Sequence, residues 1–193
     1  MALSHRNYAK VRVVAPVGRL DHDNCEAFRN DLAPHLDACL RDDTPFGVCL
    51  IRDGAEVGAP ATPVEVGCLA RIAAWDMPQL GMLHIIARGE RRFRILGRRV
   101  EPNGLARASI EMLPDDIDAP VPEQCKSCVR LLERVIAQQG EGLFEAPHRL
   151  DSSAWVSARL AELLPLPLSA KQELFELTDA RARLERLNNL LGR

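Results

Sequence analysis

The sequence predicts an α+β protein in which an antiparallel sheet or barrel is followed by a small bundle of helices. Between residues 44 and 112, apolar residues occur in short or alternating runs separated by glycine and proline, which is typical of strands. After residue 122 they recur at three- and four-residue steps, which is typical of amphipathic helices. No helical pattern between the strand runs is long enough for a parallel crossover, so the sheet is predicted to be antiparallel.

Length and composition allow one compact body or two small domains. The chain has 193 residues, 47% hydrophobic and 27% charged, close to the average for globular proteins. Residues 114–122 are acidic and rich in proline, which is typical of a linker. We therefore predict a strand-rich domain over residues 1–116 and a helical bundle over residues 117–193.

The first forty residues predict one strand and one helix. Residues 11–15 have strand composition, and Pro16 to Gly18 supply a turn. Asn24 can cap the helix that follows, and Pro34 is expected to kink it.

Five further strand runs are predicted, at residues 47–52, 66–73, 82–88, 92–96 and 104–112. Within residues 92–96, Phe93 and Ile95 fall on one face, and Arg92 and Arg94 fall on the other. This alternation predicts a half-buried strand with a charged outer face.

Four helices are predicted after the linker. The first carries an apolar stripe that includes Cys125 and Cys128, and the second is capped by Asp151 or Ser152. Ser169 and Gln172 predict a capping box for the third. The fourth is marked by Leu184, Leu187 and Leu191.

The cysteines and the missing catalytic motifs predict a protein without enzymatic activity. Cys125 and Cys128 have the spacing of half a zinc site or a redox pair, but no second ligand pair follows, so core packing is favoured. The sequence has no phosphate-binding loop, serine elbow, paired zinc histidines or dinucleotide-binding glycines. We therefore predict no catalytic residue, cofactor or metal.

The amino terminus and the cysteine content predict a cytoplasmic protein. The chain begins without a secretory signal, and no run of about 18 apolar residues occurs that could cross a membrane. The six cysteines are accordingly interpreted as reduced thiols.

Arginines form the main charge cluster of the chain. They are Arg88, Arg91, Arg92, Arg94, Arg98, Arg99 and Arg107. The cluster is either a solvated strand face balanced by acids such as Glu90 and Glu101, or a contact surface. Because Phe93 is the one aromatic residue within it, RNA binding is less favoured than protein binding.

Four segments carry a family resemblance, namely residues 40–58, 66–72, 88–96 and 151–166. They resemble the amino-terminal, substrate-binding domain of Lon proteases, and more closely the stand-alone bacterial proteins made of that domain alone. The resemblance implies a PUA-like pseudo-barrel followed by a helical bundle, which recognises other proteins. Neither the nucleotide-binding loop of the Lon ATPase nor its Ser-Lys catalytic pair is found in the sequence, so proteolysis and ATP hydrolysis do not carry over.

The opening of the chain departs from this family. Residues 11–21 and 24–32 resemble the start of a STAS domain, the fold of anti-sigma-factor antagonists. The likeness ends near Cys39, because residues 47–58 lack the serine that a STAS domain would carry there. Residues 9–39 are therefore either a foreign fragment or a divergent strand and helix that complete the barrel.

Three functions follow as hypotheses. The first is a module that binds proteins or peptides at a sheet edge or between barrel and bundle, with Phe46, Arg88, Arg91, Arg92 and Arg94 as its surface. The second is an RNA-binding module that uses the arginine cluster. The third is a STAS-type regulatory partner that depends on the first forty residues.

Overall fold

The structure is a computed structural model that describes residues 11–14, 43–54, 61–79, 82–102, 106–139, 144 and 146–192. The chain divides into two compact units, Met1–Leu113 and Pro114–Arg193. The described part of the first unit is made of strands, and that of the second is made mainly of helices. The predicted α+β class is confirmed, whereas the PUA-like assignment stays a prediction.

The first unit is a closed barrel with a small accessory sheet. The barrel strands, in spatial order, are β1 (Val11–Val14), β2 (Phe46–Val48), β5 (Val66–Gln79), β6 (Met82–Val100) and β7 (Ala106–Met112). The accessory sheet pairs β3 (Ile51–Asp53) with β4 (Thr62–Pro63).

Strand β1 closes the barrel between β2 and β7. It pairs antiparallel with β7, Val11 opposite Ala108, and parallel with β2, Val13 opposite Gly47. The connection over residues 15–45 is longer than the dozen or so residues that a parallel crossover requires. The predicted helix from Asn24 and the rest of the STAS-like segment lie outside the described residues.

Strand β6 unites two runs that the sequence analysis treated as separate strands. Residues 82–88 and 92–96 are continuous across Gly89, with a register shift against β5 between Cys68 and Ala70. Such a bulge inserts an extra residue and bends the strand without ending it.

The barrel interior is packed around Phe93, which is fully buried against Cys49, Leu69, Ala108 and Ile110. The predicted inward face of residues 92–96 is therefore confirmed. Directly opposite Phe93 in the β5–β6 ladder is Gly67. A β-carbon at this glycine would lie 2.6 Å from the Val48 carbonyl oxygen and 2.7 Å from Phe93 Cζ. The ring and the β2 backbone thus occupy the space of a side chain.

We expect Gly67→Ala to destabilise the barrel by roughly 1–3 kcal/mol, the usual cost of overpacking a core. Urea denaturation checks this value. The matched control is Gly97→Ala, because a β-carbon at Gly97 would meet no atom within 4 Å. Equal stability of the two variants would contradict the proposed packing.

The second unit contains four helices in its described part, as predicted. They are α1 (Lys126–Gln139), α2 (Ser153–Leu163), α3 (Leu168–Glu176) and α4 (Ala180–Leu191), and a 3-10 turn, Glu123–Cys125, precedes α1. Cys125 and Cys128 are both fully buried in a core with Leu132, Leu160 and Leu184. Their predicted role in core packing is confirmed.

The observed N-cap of α2 is the one predicted from the sequence, whereas the N-cap of α3 is not. Ser152 Oγ accepts a hydrogen bond of 3.0 Å from the Trp155 amide, as predicted. The capping box predicted at Ser169 is wrong, because α3 starts at Leu168 and its cap residue is Pro167. The Pro167 carbonyl accepts from the Lys171 amide, so Ser169 already lies inside the first turn.

The segment predicted as a linker is held to the helical unit by main-chain hydrogen bonds. The Ile117 amide donates to the Thr178 carbonyl at 3.0 Å, and the Ser153 amide donates to the Ala119 carbonyl at 2.8 Å. Beside it, Arg183 is 5% exposed and pairs with Asp116. Arg183 Nε also donates to Ser157 Oγ at 2.8 Å. Residues 116–120 are therefore an ordered part of the helical unit.

We expect Arg183→Met to destabilise the helical unit by about 3 kcal/mol or more, because Asp116 would keep a partly buried charge without its partner. Thermal unfolding followed by calorimetry measures the change. Arg186→Met is the control, since Arg186 is exposed and its ion pair with Glu173 is 3.8 Å long. A loss no larger than that of the control would show that the buried pair is dispensable.

Candidate functional site

A two-stranded arm continues from the barrel, and we define it as residues 71–79 of β5 and 82–91 of β6. Strand β2 pairs with β5 as far as Ala70, and β7 pairs with β6 only from Phe93 onward. Beyond these points β5 and β6 pair with each other, and no third strand among the described residues joins them. At about 3.3 Å per residue, the arm is roughly 30 Å long.

The arm combines an apolar sequence with exposure. Ile86 is 67% exposed, and Ala73, Ala74 and Ala87 are exposed as well. An exposed large aliphatic side chain is unremarkable alone, but here it lies in a strand pair that the barrel does not cover. The arm can therefore offer both apolar contact and strand edges to a partner.

At the base of the arm, one arginine is held between two acids. Arg71 Nε donates to Glu90 Oε1 at 2.7 Å, and Arg71 Nη1 lies 3.0 Å from Asp43 Oδ1. Arg71 stands opposite Arg88 in the ladder. Like charges in directly opposed positions repel, and the two carboxylates offset that repulsion.

The predicted arginine site lies on one strand, β6. Arg88, Arg91 and Arg94 are exposed, and Arg92 is half-buried. Arg94 lies 3.9 Å from Glu65, a long ion pair, and Arg91 donates a long hydrogen bond of 3.5 Å to the Leu113 carbonyl. The four side chains therefore follow one another along a single strand.

Acids accompany several members of the wider arginine cluster. Glu101 accepts a hydrogen bond of 3.1 Å from Arg99 Nε and lies 3.0 Å from Arg107 Nε as an ion pair, and Glu90 is paired with Arg71. This pattern fits a solvated, charge-balanced strand face, one of the two interpretations that the sequence allows.

Phe46 is placed away from the surface. Its side chain is 4% exposed and packs with Ala70, Val48 and Ile72. Neighbouring residues of a strand point to opposite faces, so Phe46 lies on the face of β2 opposite Gly47. In this conformation its ring is a packing element and does not contact solvent.

The described cysteines lack the properties of reactive thiols. Burial, with a smaller contribution from Cys68, raises the pKa of the Cys49 thiol to about 12. Burial is also the largest cause of the raised pKa of Cys125 and of Cys128. A thiol that stays protonated at neutral pH is a poor nucleophile and metal ligand. Among the described residues, no three His, Cys, Asp or Glu side chains gather as a metal site would require.

The helical unit carries a groove of its own, with a volume of about 350 Å³. Its walls are apolar at Val129 and Leu150 and basic at Lys126 and Arg130. Lys126 forms a 2.7 Å ion pair with Glu123. This groove is a second place where a short segment of another chain could lie.

Sequence reasoning did not find Ile86 or the Arg71 cluster. Residues 82–88 were recognised as a strand, but strand composition does not tell which side chains the rest of the fold will cover. Arg71, Asp43 and Glu90 are distant in sequence. The β5–β6 register brings Glu90 to Arg71, and the pairing of β2 with β5 brings Asp43 near it.

Comparison with known proteins identifies the family to which this barrel and helical unit belong. A family model described as the ATP-dependent protease La (LON) substrate-binding domain matches residues 26–193. The chain therefore belongs to the Lon substrate-binding domain family, as its sequence motifs predicted.

Individual relatives agree with this assignment. The Lon protease of Paraburkholderia phytofirmans is 26% identical over an alignment 176 residues long, which covers 86% of this chain and 22% of that protein. The chain thus spans about a fifth of that relative's length.

Solved structures show the same fold. A Lon N-terminal domain protein from Xanthomonas campestris is 28% identical, with a TM-score of 0.70 over 92% of this chain and 96% of that one. The N-terminal domain of a Mycobacterium avium complex Lon protease matches with a TM-score of 0.61 over 93% and 96% of the two chains, at 17% identity. Because the Mycobacterium avium complex domain is only 17% identical to this chain, its match shows a shared fold and nothing further.

The helices give no sign of a membrane span. Within the part of the chain that the structure describes, none is both long enough and apolar enough to cross a bilayer.

Proposed function

We propose that this chain is a non-catalytic module that binds segments of other proteins through the arm of its barrel. Its surface comprises Ile86, Arg88, Arg91, Arg92 and Arg94. The observation that carries the proposal is the arm itself, an apolar strand pair with Ile86 67% exposed, in a chain of the Lon substrate-binding family. Phe46 is left out of this surface because its side chain is buried.

The lack of an enzymatic site in the described residues supports a binding role. Buried cysteines with raised pKa values are unsuited to nucleophilic catalysis. The family match, moreover, is to a domain named for substrate binding, and neither an ATPase nor a protease is part of that description. We therefore propose that binding occurs without ATP hydrolysis or peptide cleavage.

The RNA-binding alternative has less support. RNA modules of this size stack unpaired bases on exposed aromatic rings, but Phe93, the aromatic residue within the arginine cluster, is fully buried. Acids also accompany Arg71, Arg94, Arg99 and Arg107. These carboxylates reduce the attraction of this face for phosphates.

We also propose that the two units are separate domains that divide near residue 116, in the cytoplasm of a bacterium. The absence of a disulfide at Cys49, Cys68, Cys125 and Cys128 supports a reducing compartment.

If the two domains unfold independently, calorimetry records two transitions. Gly67→Ala then lowers the midpoint temperature of one transition, and Arg183→Met lowers that of the other. A single transition that both substitutions shift would contradict the division.

The binding proposal is tested with a fluorescent peptide that contains apolar and acidic residues and is unstructured when free. We expect Ile86→Asp to weaken its binding to the full chain about tenfold, since burial of one aliphatic side chain contributes roughly 1.5 kcal/mol or more. Fluorescence anisotropy at near-physiological salt measures the dissociation constant.

Leu96→Asp is the matched control. Leu96 lies on the same strand and is 65% exposed, but its position is within the barrel and not in the arm. Equal losses in both variants, or no loss in Ile86→Asp, would overturn the assignment to the arm. Binding of single-stranded RNA in preference to the peptide would overturn the proposed class of partner.

A further inference from the structure

The β5–β6 ladder is irregular on both sides of Arg71, at the base of the arm. The register shifts once at residues 68–70 and again at residues 72–74. Between the shifts lie three regular pairs, and Arg71 opposite Arg88 is the middle one. Irregularities of this kind bend a strand and change its twist. The direction in which the arm leaves the barrel therefore depends on these few residues.

One guanidinium joins three segments of the chain at this base. Arg71 Nε donates to Glu90 Oε1 at 2.7 Å, which ties β5 to β6. Arg71 Nη1 donates to the carbonyl oxygen of Asp43 and lies 3.0 Å from Asp43 Oδ1. Asp43 precedes β2 and lies outside the arm. We call Asp43, Arg71 and Glu90 the Arg71 clamp.

The backbone of Asp43 adopts the left-handed conformation, with a φ of 47°. Residues other than glycine rarely adopt it, and aspartate tolerates it better than most. Such a conformation persists where surrounding contacts hold it in place. At Asp43, both the main-chain carbonyl and the carboxylate contact the same nitrogen of Arg71. The clamp thus holds the segment before β2 as well as the arm.

The clamp is a network and not a single ion pair. The Arg71 and Glu90 side chains are 36% and 33% exposed, and one ion pair at such a position stabilises a protein little. Here, however, one planar guanidinium contacts two carboxylates and a carbonyl, which its rigid fork of donors allows. A lysine ammonium is a point charge and does not reproduce this fork.

The main apolar residue of the proposed surface lies just beyond the clamp. Ile86 stands opposite Ala74, after the second register shift. Its position therefore depends on the direction that the base gives to the arm. A partner that binds a mobile arm must also order it, and that ordering lowers the affinity.

We propose that Arg71 is the positioning residue of the arm. The Arg71 clamp holds the arm in one direction from the barrel, so that Ile86 is presented to a bound segment in a fixed place. Arg71 acts through the arm and not by direct contact with the partner. This inference rests on the proposed function and adds to it the residue that orders the binding surface.

Hydrogen exchange of the unbound full chain tests the clamp without any partner. We expect Arg71→Gln to speed amide exchange about threefold or more in fragments covering residues 71–79 and 82–91, because the contacts that restrain these strands are lost. Fragments covering residues 106–112 of β7 should exchange as in the wild type. The substitution also removes the repulsion between Arg71 and Arg88, so faster exchange reports the lost contacts. Mass spectrometry of the fragments measures the rates.

Arg99→Gln is the matched control. Arg99 lies on the same strand and bonds Glu101 at 3.1 Å, outside the arm, so both variants lose one exposed positive charge and one acid partner. Arg71→Lys keeps the charge without the fork and should exchange at a rate between those of the wild type and Arg71→Gln. Equal rates in Arg71→Gln and Arg99→Gln would overturn the clamp. Faster exchange throughout the barrel would also overturn it, because Arg71 would then stabilise the whole unit.

Binding of the fluorescent peptide described for Ile86→Asp tests the consequence for recognition. We expect Arg71→Gln to bind about threefold more weakly than Arg99→Gln, since the arm must then be ordered by the peptide. Adding Arg71→Gln to Ile86→Asp should cause no further loss, because the contact that the clamp positions is already absent. Fluorescence anisotropy measures the dissociation constants, and additive losses would contradict an action through the arm.

The outcomes separate this inference from the proposed function. Faster exchange in the arm with unchanged peptide affinity would show that recognition does not depend on the order of the arm, and would overturn the positioning role alone. Failure of the wild-type chain to bind the peptide would overturn both proposals.

Discussion

The packing of Phe93 against Gly67 is the contact on which the first unit depends. The ring fills the barrel interior, and the missing side chain of Gly67 lets it approach β5 and the backbone of β2 together. Because Phe93 lies near the middle of β6, its burial fixes that strand in the barrel wall. The remainder of β6 then extends beyond the wall as one side of the arm. One buried ring therefore anchors the strand that carries the proposed binding surface.

Local patterns in the sequence predicted the parts of the fold that depend on local periodicity. Alternation placed Phe93 and Ile95 inward, and the three-residue spacing of Cys125 and Cys128 placed both thiols in the helical core. Long-range features were not predictable in this way. The parallel position of β1 beside β2 and the hydrogen bonds of residues 117–120 to the helical unit join segments distant in sequence, and no local spacing encodes such pairs.

The candidate site was only partly predictable for a related reason. The arginines on β6 were found because they form a dense run, but Phe46, named with them as part of the surface, has a buried ring. Ile86 was overlooked because the sequence does not tell how far β6 extends beyond β7, which ends at Met112 opposite Phe93.

The central claim is that the arm, and not the groove at Val129 and Leu150 in the helical unit, contacts the bound segment. Photo-cross-linking tests it most directly: a bound apolar peptide carrying a photoreactive leucine is irradiated with the full chain, and the adducts are located by mass spectrometry. Adducts concentrated within residues 71–91 are the predicted result. Adducts concentrated at residues 120–130 and 149–151, or distributed over the whole chain, would contradict the claim.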